Sequence, residues 1–234
     1  MNTFDSENQI ILIDKPAGCS SFHAVAKVRG FLKRKFGHKV KVGHTGTLDP
    51  FATGLLILLS GKCTKKSNEF LKLDKVYETT IKLGYISDTG DTEGNIIKKS
   101  DKNVDISEIE KVLGDFTGEI EQRPPKFSAI KINGQRAYKL ARKGVEFEVP
   151  SRKVTVYKLE ILEYNYPFLK LRCFVSSGTY IRTLAEDIGE VLGVGAYCVE
   201  LRRIKVGEYD VKDARKLEEF AGDFEKNGTE KSPE

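Results

Sequence analysis

The spacing of apolar residues along the chain predicts a series of strands. The runs from Gln9 to Asp14 and from Leu55 to Leu59 are short and apolar, which is typical of buried strands. From Val76 to Leu83 residues alternate in character, which predicts a strand with one buried face. The same alternation predicts three later strands, over Val154 to Tyr164, Phe168 to Ser176 and Val199 to Tyr209.

Helical spacing of apolar residues marks several other segments. A helix over Phe22 to Phe36 is predicted to begin after Ser20 or Ser21 and to end at Gly37. Two shorter helices are predicted, from a Thr64 cap to Leu71 and from Ser107 to Leu113.

The segment GTYIRTLAEDIGEVLG predicts another helix, with Thr179 as its cap and Gly193 as its end. Its apolar face consists of Ile181, Leu184, Ile188 and Leu192. Because strands and helices follow one another without a regular βαβ rhythm, the expected fold class is α+β. We expect a mixed, largely antiparallel central sheet flanked by helices.

Two connections have a distinct composition. SDTGDTEGN predicts a hairpin-like turn rather than a calcium loop, because the EF-hand spacing is not met. After Pro124 and Pro125, the segment KFSAIKINGQRAYKLARKG predicts an exposed hairpin followed by a basic helix.

Positive charge is concentrated in two segments, although the net charge is only +5. Eight Lys or Arg residues and no acid lie between Asp14 and Asp49, and seven more lie between Glu121 and Glu146. Two such segments with interleaved aromatic residues favour a nucleic-acid partner over a merely solvated face. The residues predicted to contact an RNA backbone are Lys15, Lys33, Arg34, Lys126, Lys131 and Arg136.

Several classes of function lack support in the sequence. No apolar run approaches the roughly 20 residues that span a bilayer, and the acidic N-terminus does not resemble a signal peptide. The four cysteines and three histidines are scattered, so no metal site is expected. SGKCT lacks the features of a phosphate-binding loop, and no GxGxxG, HExxH or GxSxG motif occurs. We expect a cytoplasmic protein without cofactor, metal or membrane contact, and a monomer.

The stretch GHTGTLDPFATGLLILLSG places Asp49 between a Gly/Thr-rich loop and an apolar run. One interpretation is that Asp49 caps a helix or turn, with Pro50 at the first position. The other is a carboxylate nucleophile or base at the edge of a dry pocket, which needs a cationic partner to stay ionised.

Three residues elsewhere in the chain are candidates for the same site. Arg182 is the possible cationic partner, or a surface or capping arginine. Tyr77 lies on the inward face of its predicted strand and is either a core tyrosine or a stacking residue. His44 stands close to Gly43 and Gly46, and either wedges against a base or is an ordinary loop histidine.

Taken together, these segments resemble the successive motifs of the TruB-type tRNA pseudouridine synthases. The matching motifs, in order, are DKPAGCSS, GHTGTLDPFATGLL, KVYETTIKLG, PPKFSAIKINGQRAYKLARKG, SGTYIRTLAEDIG and LRRI. The resemblance covers about Ile11 to Val211 and includes motifs that are long and therefore specific.

The resemblance implies the pseudouridine synthase fold and the isomerisation of uridine 55 in the tRNA T loop to pseudouridine, without metal or cofactor. It implies that Asp49 is the nucleophile and that Arg182 pairs with it. It also implies that Tyr77 stacks on the uracil, and that His44 contacts the RNA near the vacated base. The uridine pocket would be lined by Tyr180 and Leu201.

The same resemblance suggests a domain organisation. Residues 1–221 would form the catalytic domain, with an RNA-gripping insertion around 123–150 that orders on binding, and 222–234 would be a disordered polar tail. No room is expected for the family's C-terminal PUA-type module, so the footprint should be limited mainly to the T stem-loop. Two rival hypotheses are a non-catalytic RNA-binding protein and a glycosidase or nucleosidase that uses Asp49.

Overall fold

The structure is a computed structural model that describes residues 6–128, 130–132 and 134–222. It divides into two compact units. The first unit comprises Met1–Leu73 and Arg203–Glu234, and the second unit comprises Asp74–Arg202. Most of the predicted tail, residues 223–234, lies outside the described residues.

The described residues form short strands and helices in the following chain order. The strands are β1 (Ile10–Lys15), β2 (Val42–His44), β3 (Thr53–Ser60), β4 (Lys75–Leu83), β5 (Tyr85–Ser87), β6 (Ile96–Lys98), β7 (Gly118–Gln122), β8 (Lys131–Ile132), β9 (Gln135–Arg136), β10 (Arg152–Asn165), β11 (Phe168–Val175), β12 (Ala196–Val206), β13 (Tyr209–Asp210) and β14 (Arg215–Lys216). The helices are α1 (Ser21–Phe36), α2 (Ser67–Lys72), α3 (Ile106–Asp115), α4 (Ala137–Arg142), α5 (Ile181–Val191) and α6 (Glu219–Gly222).

In the first unit, β3 pairs with β1 and β2 in antiparallel fashion, and β1 pairs with β14 in parallel. Seven of the eight residues of β3 are buried, which is why its sequence is a continuous apolar run without alternation. Its side chains contribute to a core cluster of Leu55, Ile57, Leu59, Phe70 and Val206. This burial holds the strand that follows the Asp49 loop.

The helix predicted over Phe22 to Phe36 is confirmed as α1, together with both of its end signals. The Ser20 hydroxyl accepts a hydrogen bond from the His23 backbone N–H at 3.1 Å. At the other end Gly37 adopts φ 75° and donates its N–H to the Lys33 carbonyl. The basic last turn, which includes Lys33 and Arg34, suits the negative end of the helix dipole.

In the second unit, β4, β11, β10 and β7 pair in that order, and every pair is antiparallel. The alternation predicted for β4 is confirmed, since its odd-numbered residues are buried. Tyr77 pairs with Cys173 of β11, and Ile81 pairs with Leu169, so apolar side chains share one face. Helix α5 buries residues including Ile181.

The two smaller connections in the second unit also follow the predictions. Strands β5 and β6 form a hairpin around the SDTGDTEGN turn. The basic segment after Pro124 and Pro125 forms the β8–β9 hairpin and then the short helix α4.

Two predicted helix caps are wrong. The Thr64 hydroxyl donates to the Gly61 carbonyl at 2.8 Å inside a 3-10 turn, and α2 begins only at Ser67. The Thr179 hydroxyl donates to the Ser176 carbonyl at 3.0 Å, and Tyr180 is the cap residue of α5. In both cases the hydroxyl bonds to a preceding carbonyl, which competes with capping of the following turn.

The predicted fold class is confirmed. Strand pairing is mostly antiparallel, with β1–β14 as a parallel pair, and few helices accompany the strands. Strand β12 runs through the boundary at Arg202 and Arg203, so it contributes residues to both units. No helix in the described part of the chain is both long and apolar enough to cross a membrane.

Candidate active site

Asp49 lies in the loop that connects β2 to β3 in the first unit, and its side chain is half-buried. No helix begins after it among the described residues, so Asp49 is not a helix cap. Its carbonyl accepts from the Ala52 N–H at 3.2 Å, which closes a tight turn just before β3. A carboxylate on a loop beside a buried strand is the arrangement expected of a reactive group.

Hydrogen bonds fix the residue on each side of Asp49. The Ser21 hydroxyl donates to the Leu48 carbonyl at 3.0 Å and accepts from the Leu48 N–H at 2.8 Å. The Pro50 carbonyl accepts from the Gly18 N–H at 2.9 Å. The segment DKPAGCSS therefore holds the loop from both sides of the carboxylate.

Lys15 stabilises the same loop from the interior. Its side chain is 0% exposed, and its ammonium donates to the carbonyls of Pro16, Cys19 and Pro50 at 2.8, 2.6 and 3.3 Å. The prediction that Lys15 contacts the RNA backbone is therefore wrong for this arrangement, because a fully enclosed ammonium does not reach a phosphate. Position in a basic segment gave no sign of this burial.

Arg203 is a second buried cation that donates to backbone carbonyls near this loop. It belongs to the motif LRRI, but no role was predicted for it. It is 3% exposed. Its guanidinium donates to the Leu55 carbonyl at 2.7 Å and to the Gly46 carbonyl at 3.1 Å. His44 is half-buried, and its Nδ1 atom accepts a hydrogen bond from the Gly46 N–H at 3.4 Å. The loop is thus supported at its start as well as around Asp49.

Arg182 lies in the first turn of α5 in the second unit and is 3% exposed. Its guanidinium donates to the Thr89 carbonyl at 2.6 Å and to the Phe127 carbonyl at 2.9 Å. It also forms an ion pair with Asp91, whose Oδ2 lies 3.2 Å from Nη1. Arg182 is therefore a buried cation, and the alternatives of a surface arginine and a capping arginine are excluded.

Asp91 is the functional candidate that the sequence interpretation missed. It is 3% exposed, and its Oδ1 accepts from the Thr89 hydroxyl at 2.6 Å and from the Glu93 N–H at 3.0 Å. These bonds orient the carboxylate toward Arg182. Its only signal in the sequence was an acid in a turn with several acids, which gave no reason to single it out.

The other predicted pocket residues of the second unit are in or near its core. Tyr77 is 9% exposed and Leu201 is 8% exposed. Tyr180 is half-buried, and its backbone N–H and carbonyl both bond to the Gln122 side chain, at 2.7 and 3.0 Å. The Arg152 guanidinium lies 5.0 Å from the centre of the Tyr180 ring. These contacts hold Tyr180 at the start of α5.

The remaining predicted RNA-contacting residues are exposed. Lys33 and Arg34 lie on the last turn of α1 in the first unit. Lys126, Lys131 and Arg136 lie on the basic insertion in the second unit, around the β8–β9 hairpin. All five are placed where a polyanion can approach them.

Two carboxyl groups of α5 have raised pKa values. Burial raises the pKa of Glu186 to about 7, although the positive charge of Arg182 acts to lower it. Burial and the negative charge of Glu190 raise the pKa of Asp187 to about 6. The helix that carries Arg182 therefore also carries acids that titrate close to neutral pH.

Sequence comparisons place these residues in a known family. The TruB family pseudouridylate synthase (N terminal domain) matches residues 33–181, and the tRNA pseudouridylate synthase B C-terminal domain matches residues 182–232. A tRNA pseudouridine synthase B of Endomicrobium trichonymphae is 44% identical over 93% of this chain and 93% of its own length. Another, of Aquifex aeolicus (strain VF5), is 47% identical over 90% of this chain and 72% of its own length.

Two solved structures are similar in fold. A chain in a Cbf5-Nop10-Gar1 complex is 31% identical with a TM-score of 0.67, and the match covers 91% of this chain and 53% of that one. A chain in an H/ACA RNP bound to a substrate RNA containing 2'-deoxyuridine is 29% identical with a TM-score of 0.65, covering 91% and 51%. This chain spans about half the length of each of these two chains.

Proposed function

This chain belongs to the TruB family of pseudouridylate synthases, and we propose that it isomerises uridine 55 in the T loop of tRNA to pseudouridine, with Asp49 as the nucleophile. The observation that carries the proposal is the half-buried Asp49 in a loop fixed on both sides. Isomerisation breaks the bond from the sugar to a base nitrogen and remakes it to a base carbon. It therefore needs no redox partner.

The fixed loop suits nucleophilic catalysis. A nucleophile must be held close to the reacting atom with little freedom, because misplacement by about 1 Å can cost about 100-fold in rate. The bonds to Leu48 and Pro50 restrain the backbone on either side of Asp49, while its side chain is only half-buried. We propose that the carboxylate attacks the flipped nucleotide.

We further propose roles for side chains other than Asp49. Arg182 would supply positive charge to the Asp49 carboxylate, and Asp91 would keep the guanidinium oriented. Tyr77 would stack on the uracil, beside Leu201 and Tyr180 in the uridine pocket. Stacking and hydrogen bonds of this kind offset the few kcal/mol lost when a base leaves the stack.

RNA binding would use the exposed basic residues and His44. Contacts to phosphates supply most of the affinity without reading sequence, and loop RNA is recognised by shape and by splayed bases. Lys33 and Arg34 would contact the backbone from the first unit. His44 would contact the RNA near the vacated base. The insertion around 123–150, with Lys126, Lys131 and Arg136, would grip it from the second unit.

The proposed substrate footprint is the T stem-loop, and the catalytic domain would span residues 1–221. We place the reaction in the cytoplasm and expect a monomer to perform it. A minihelix that contains only the T arm should therefore bind nearly as well as whole tRNA. A large loss of affinity for the minihelix would contradict the compact footprint without touching the catalytic assignment.

The decisive experiment is pseudouridine formation in an unmodified T-arm minihelix by wild type and Asp49→Asn, with binding measured on the same samples. We expect product from wild type, none above background from Asp49→Asn, and similar binding by both. Asp115→Asn is the matched control, since Asp115 is an exposed acid at the end of α3, and it should retain full activity.

Each rival has its own result in this experiment. Free uracil in place of pseudouridine would indicate a nucleosidase. Binding without any change of uridine, in the minihelix and in whole tRNA, would indicate a non-catalytic RNA-binding protein and would overturn the proposal.

A further inference from the structure

Helix α5 carries Arg182 and Glu186 one turn apart, so the two side chains lie on the same face of the helix. Arg182 is already paired with Asp91 at 3.2 Å. Glu186 feels the positive charge of Arg182 and the negative charges of Asp91 and Asp187. Two acids, Asp91 and Glu186, therefore stand beside one buried guanidinium.

Gly90 brings the Glu186 carboxyl against the turn that bears Asp91. Gly90 has φ +72°, and a Cβ added there would lie 3.1 Å from the Glu186 carboxyl carbon, closer to its Oε1, and 3.5 Å from the Arg182 Cβ. The turn itself is fixed, because the Gly90 N–H donates to Ser87 at 3.1 Å and its carbonyl accepts from the Cys198 N–H at 3.0 Å. The Glu186 carboxyl therefore packs against a turn whose backbone is held by two hydrogen bonds.

A neutral and an ionised Glu186 have different consequences at this position. When the carboxyl is protonated, it adds no negative charge to the one that Asp91 already places beside Arg182. When it is ionised, two carboxylates share one cation and repel each other at close range. The second arrangement weakens the field that Arg182 exerts elsewhere.

The proton of Glu186 has a route to solvent. Glu186 lines a pocket of about 350 Å³ together with Glu190, Lys99, Ser87, Ile86 and backbone around Gly195. The pocket is large enough for water. The charged groups that act on this carboxyl are Arg182 and Asp187 from α5 and Asp91 from the turn. Glu190 from α5 and Lys99 from the chain after β6 line the same pocket.

We propose that Glu186 is a positioning residue for Arg182. When Glu186 is protonated, it holds the Gly90–Asp91 turn against α5. When it is ionised, it competes with the reaction for the charge of Arg182. This inference rests on the proposed function, because it assumes that Arg182 serves the isomerisation. Burial raises the pKa of Glu186 to about 7, so the change in its charge falls near neutral pH. Activity should decline as pH rises through that value.

The test is the pH profile of kcat/KM on the T-arm minihelix from about pH 5.5 to about pH 8.5. Wild type should lose about 10-fold between about pH 6 and about pH 8, because one ionisation near pH 7 gives a tenfold fall per pH unit above it. The loss should reside in kcat, with KM little changed. Glu186→Gln cannot ionise and should remove this alkaline decline.

Asp187→Asn is the matched control. Asp187 is the adjacent acid on α5 and also has a raised pKa, of about 6, but Arg182 is not among the causes. This variant should therefore keep the alkaline decline, at a somewhat lower pH because it removes the negative charge of Asp187 that helps to raise the pKa of Glu186. If the role of Glu186 were purely structural, Glu186→Gln would lower activity equally at all pH values. The ratio of activity at acidic pH to activity at alkaline pH would then be the same as in wild type.

The outcomes separate this inference from the proposed function. If wild type forms no pseudouridine on minihelix or whole tRNA, the proposed function fails. If wild type is active and Glu186→Gln keeps the same ratio of activity at acidic and alkaline pH, only the present inference is overturned. Should Glu186→Gln fail to fold by circular dichroism, Glu186→Asp replaces it, and a decline at an unshifted pH would then overturn the inference.

Discussion

The buried cations Lys15 and Arg203 of the first unit and Arg182 of the second unit have different kinds of partner. In the first unit, Lys15 donates to backbone carbonyls including Pro50, and Arg203 donates to Gly46 and Leu55. In the second unit, Arg182 donates to carbonyls too, but it also has the carboxylate of Asp91 at 3.2 Å. Carbonyls do not titrate, whereas carboxyls do.

Because of this difference, the two halves of the proposed mechanism should respond differently to pH. The backbone that carries Asp49 is shaped by bonds between cations and peptide groups, so its geometry should be constant across neutral pH. The Arg182 cluster includes Asp91 and the titratable Glu186, so its charge balance should change with pH.

The largest effect is expected where the first unit has no room for any side chain. Gly54 has φ +100°, and a Cβ there would lie 2.9 Å from the Arg203 nitrogen, 3.0 Å from its carbonyl carbon and closer to its oxygen. Because both groups are backbone, Gly54→Ala should lower the free energy of unfolding by about 4 kcal/mol or prevent folding. Urea unfolding measures this.

Gly114 is the matched control for that substitution. It lies in α3, and no heavy atom lies within 4 Å of an added Cβ. Gly114→Ala should stabilise the protein by up to about 1 kcal/mol, because alanine favours the helix. A Gly54→Ala protein as stable as wild type would show that β3 tolerates displacement and that the Asp49 loop is less fixed than we argue.

The next largest effect is expected for Lys15→Met, which leaves three loop carbonyls without the ammonium. Each unsatisfied buried carbonyl costs about 1 to 3 kcal/mol, offset in part because a buried charge is removed, so we expect a net loss of about 3 kcal/mol. The loss should be the same at acidic and alkaline pH. Exposed Lys33→Met should change stability by less than about 0.5 kcal/mol. A loss that varies with pH would contradict the contrast between the units.

In the second unit, Asp91→Asn should lower stability by about 2 kcal/mol, because it removes the carboxylate from a buried ion pair but keeps a polar group of the same shape. The rate of pseudouridine formation should fall by about 10-fold to 100-fold, because a guanidinium that is held less firmly is positioned less accurately for the reaction. Binding to the minihelix should be retained. Full activity in this variant would show that the orientation of Arg182 does not depend on the Asp91 carboxylate.

The smallest effect is a dependence of stability on pH. In the folded state the pKa values of Glu186 and Asp187 are about 7 and about 6, above their ordinary values of 4.5 and 3.8. Folding therefore takes up protons, and stability should fall by about 1 to 3 kcal/mol as pH rises from about 4 to about 7. Unfolding of wild type and of the Glu186→Gln, Asp187→Asn double variant, measured across this range, checks the prediction. A wild-type stability that rises with pH there would contradict it.

Much of the local structure followed from the sequence because its causes are local. Ser20 and Gly37 end α1 through bonds within a few residues, and the alternation from Val76 to Leu83 requires only that one face of β4 be buried. The caps assigned to Thr64 and Thr179 failed for an equally local reason, since each hydroxyl found a nearer carbonyl. Periodicity does not reveal which of two neighbouring acceptors a hydroxyl will choose.

The candidate site followed from the sequence only in part. The sequence identifies the long motif around Asp49 and the residues Tyr77 and Arg182 as candidates. Lys15 was misassigned to RNA because a lysine in a basic segment gives no sign that it is fully enclosed. Asp91 was overlooked because nothing in a run of acids distinguishes the one that meets a buried arginine about 90 residues later.

Spacing, end signals and long motifs in the sequence are sufficient to predict most of the elements, the family and Asp49 as the candidate nucleophile. Tertiary structure alone decided which charges are buried and what they meet. Lys15 contacts Pro50, Arg182 pairs with Asp91, and Glu186 lies near Gly90. The two residues of each pair are too far apart in the sequence for any local pattern to connect them. The physical reason is that a buried charge is stable only beside a partner, and the fold, not the neighbouring residues, determines which partner is in reach.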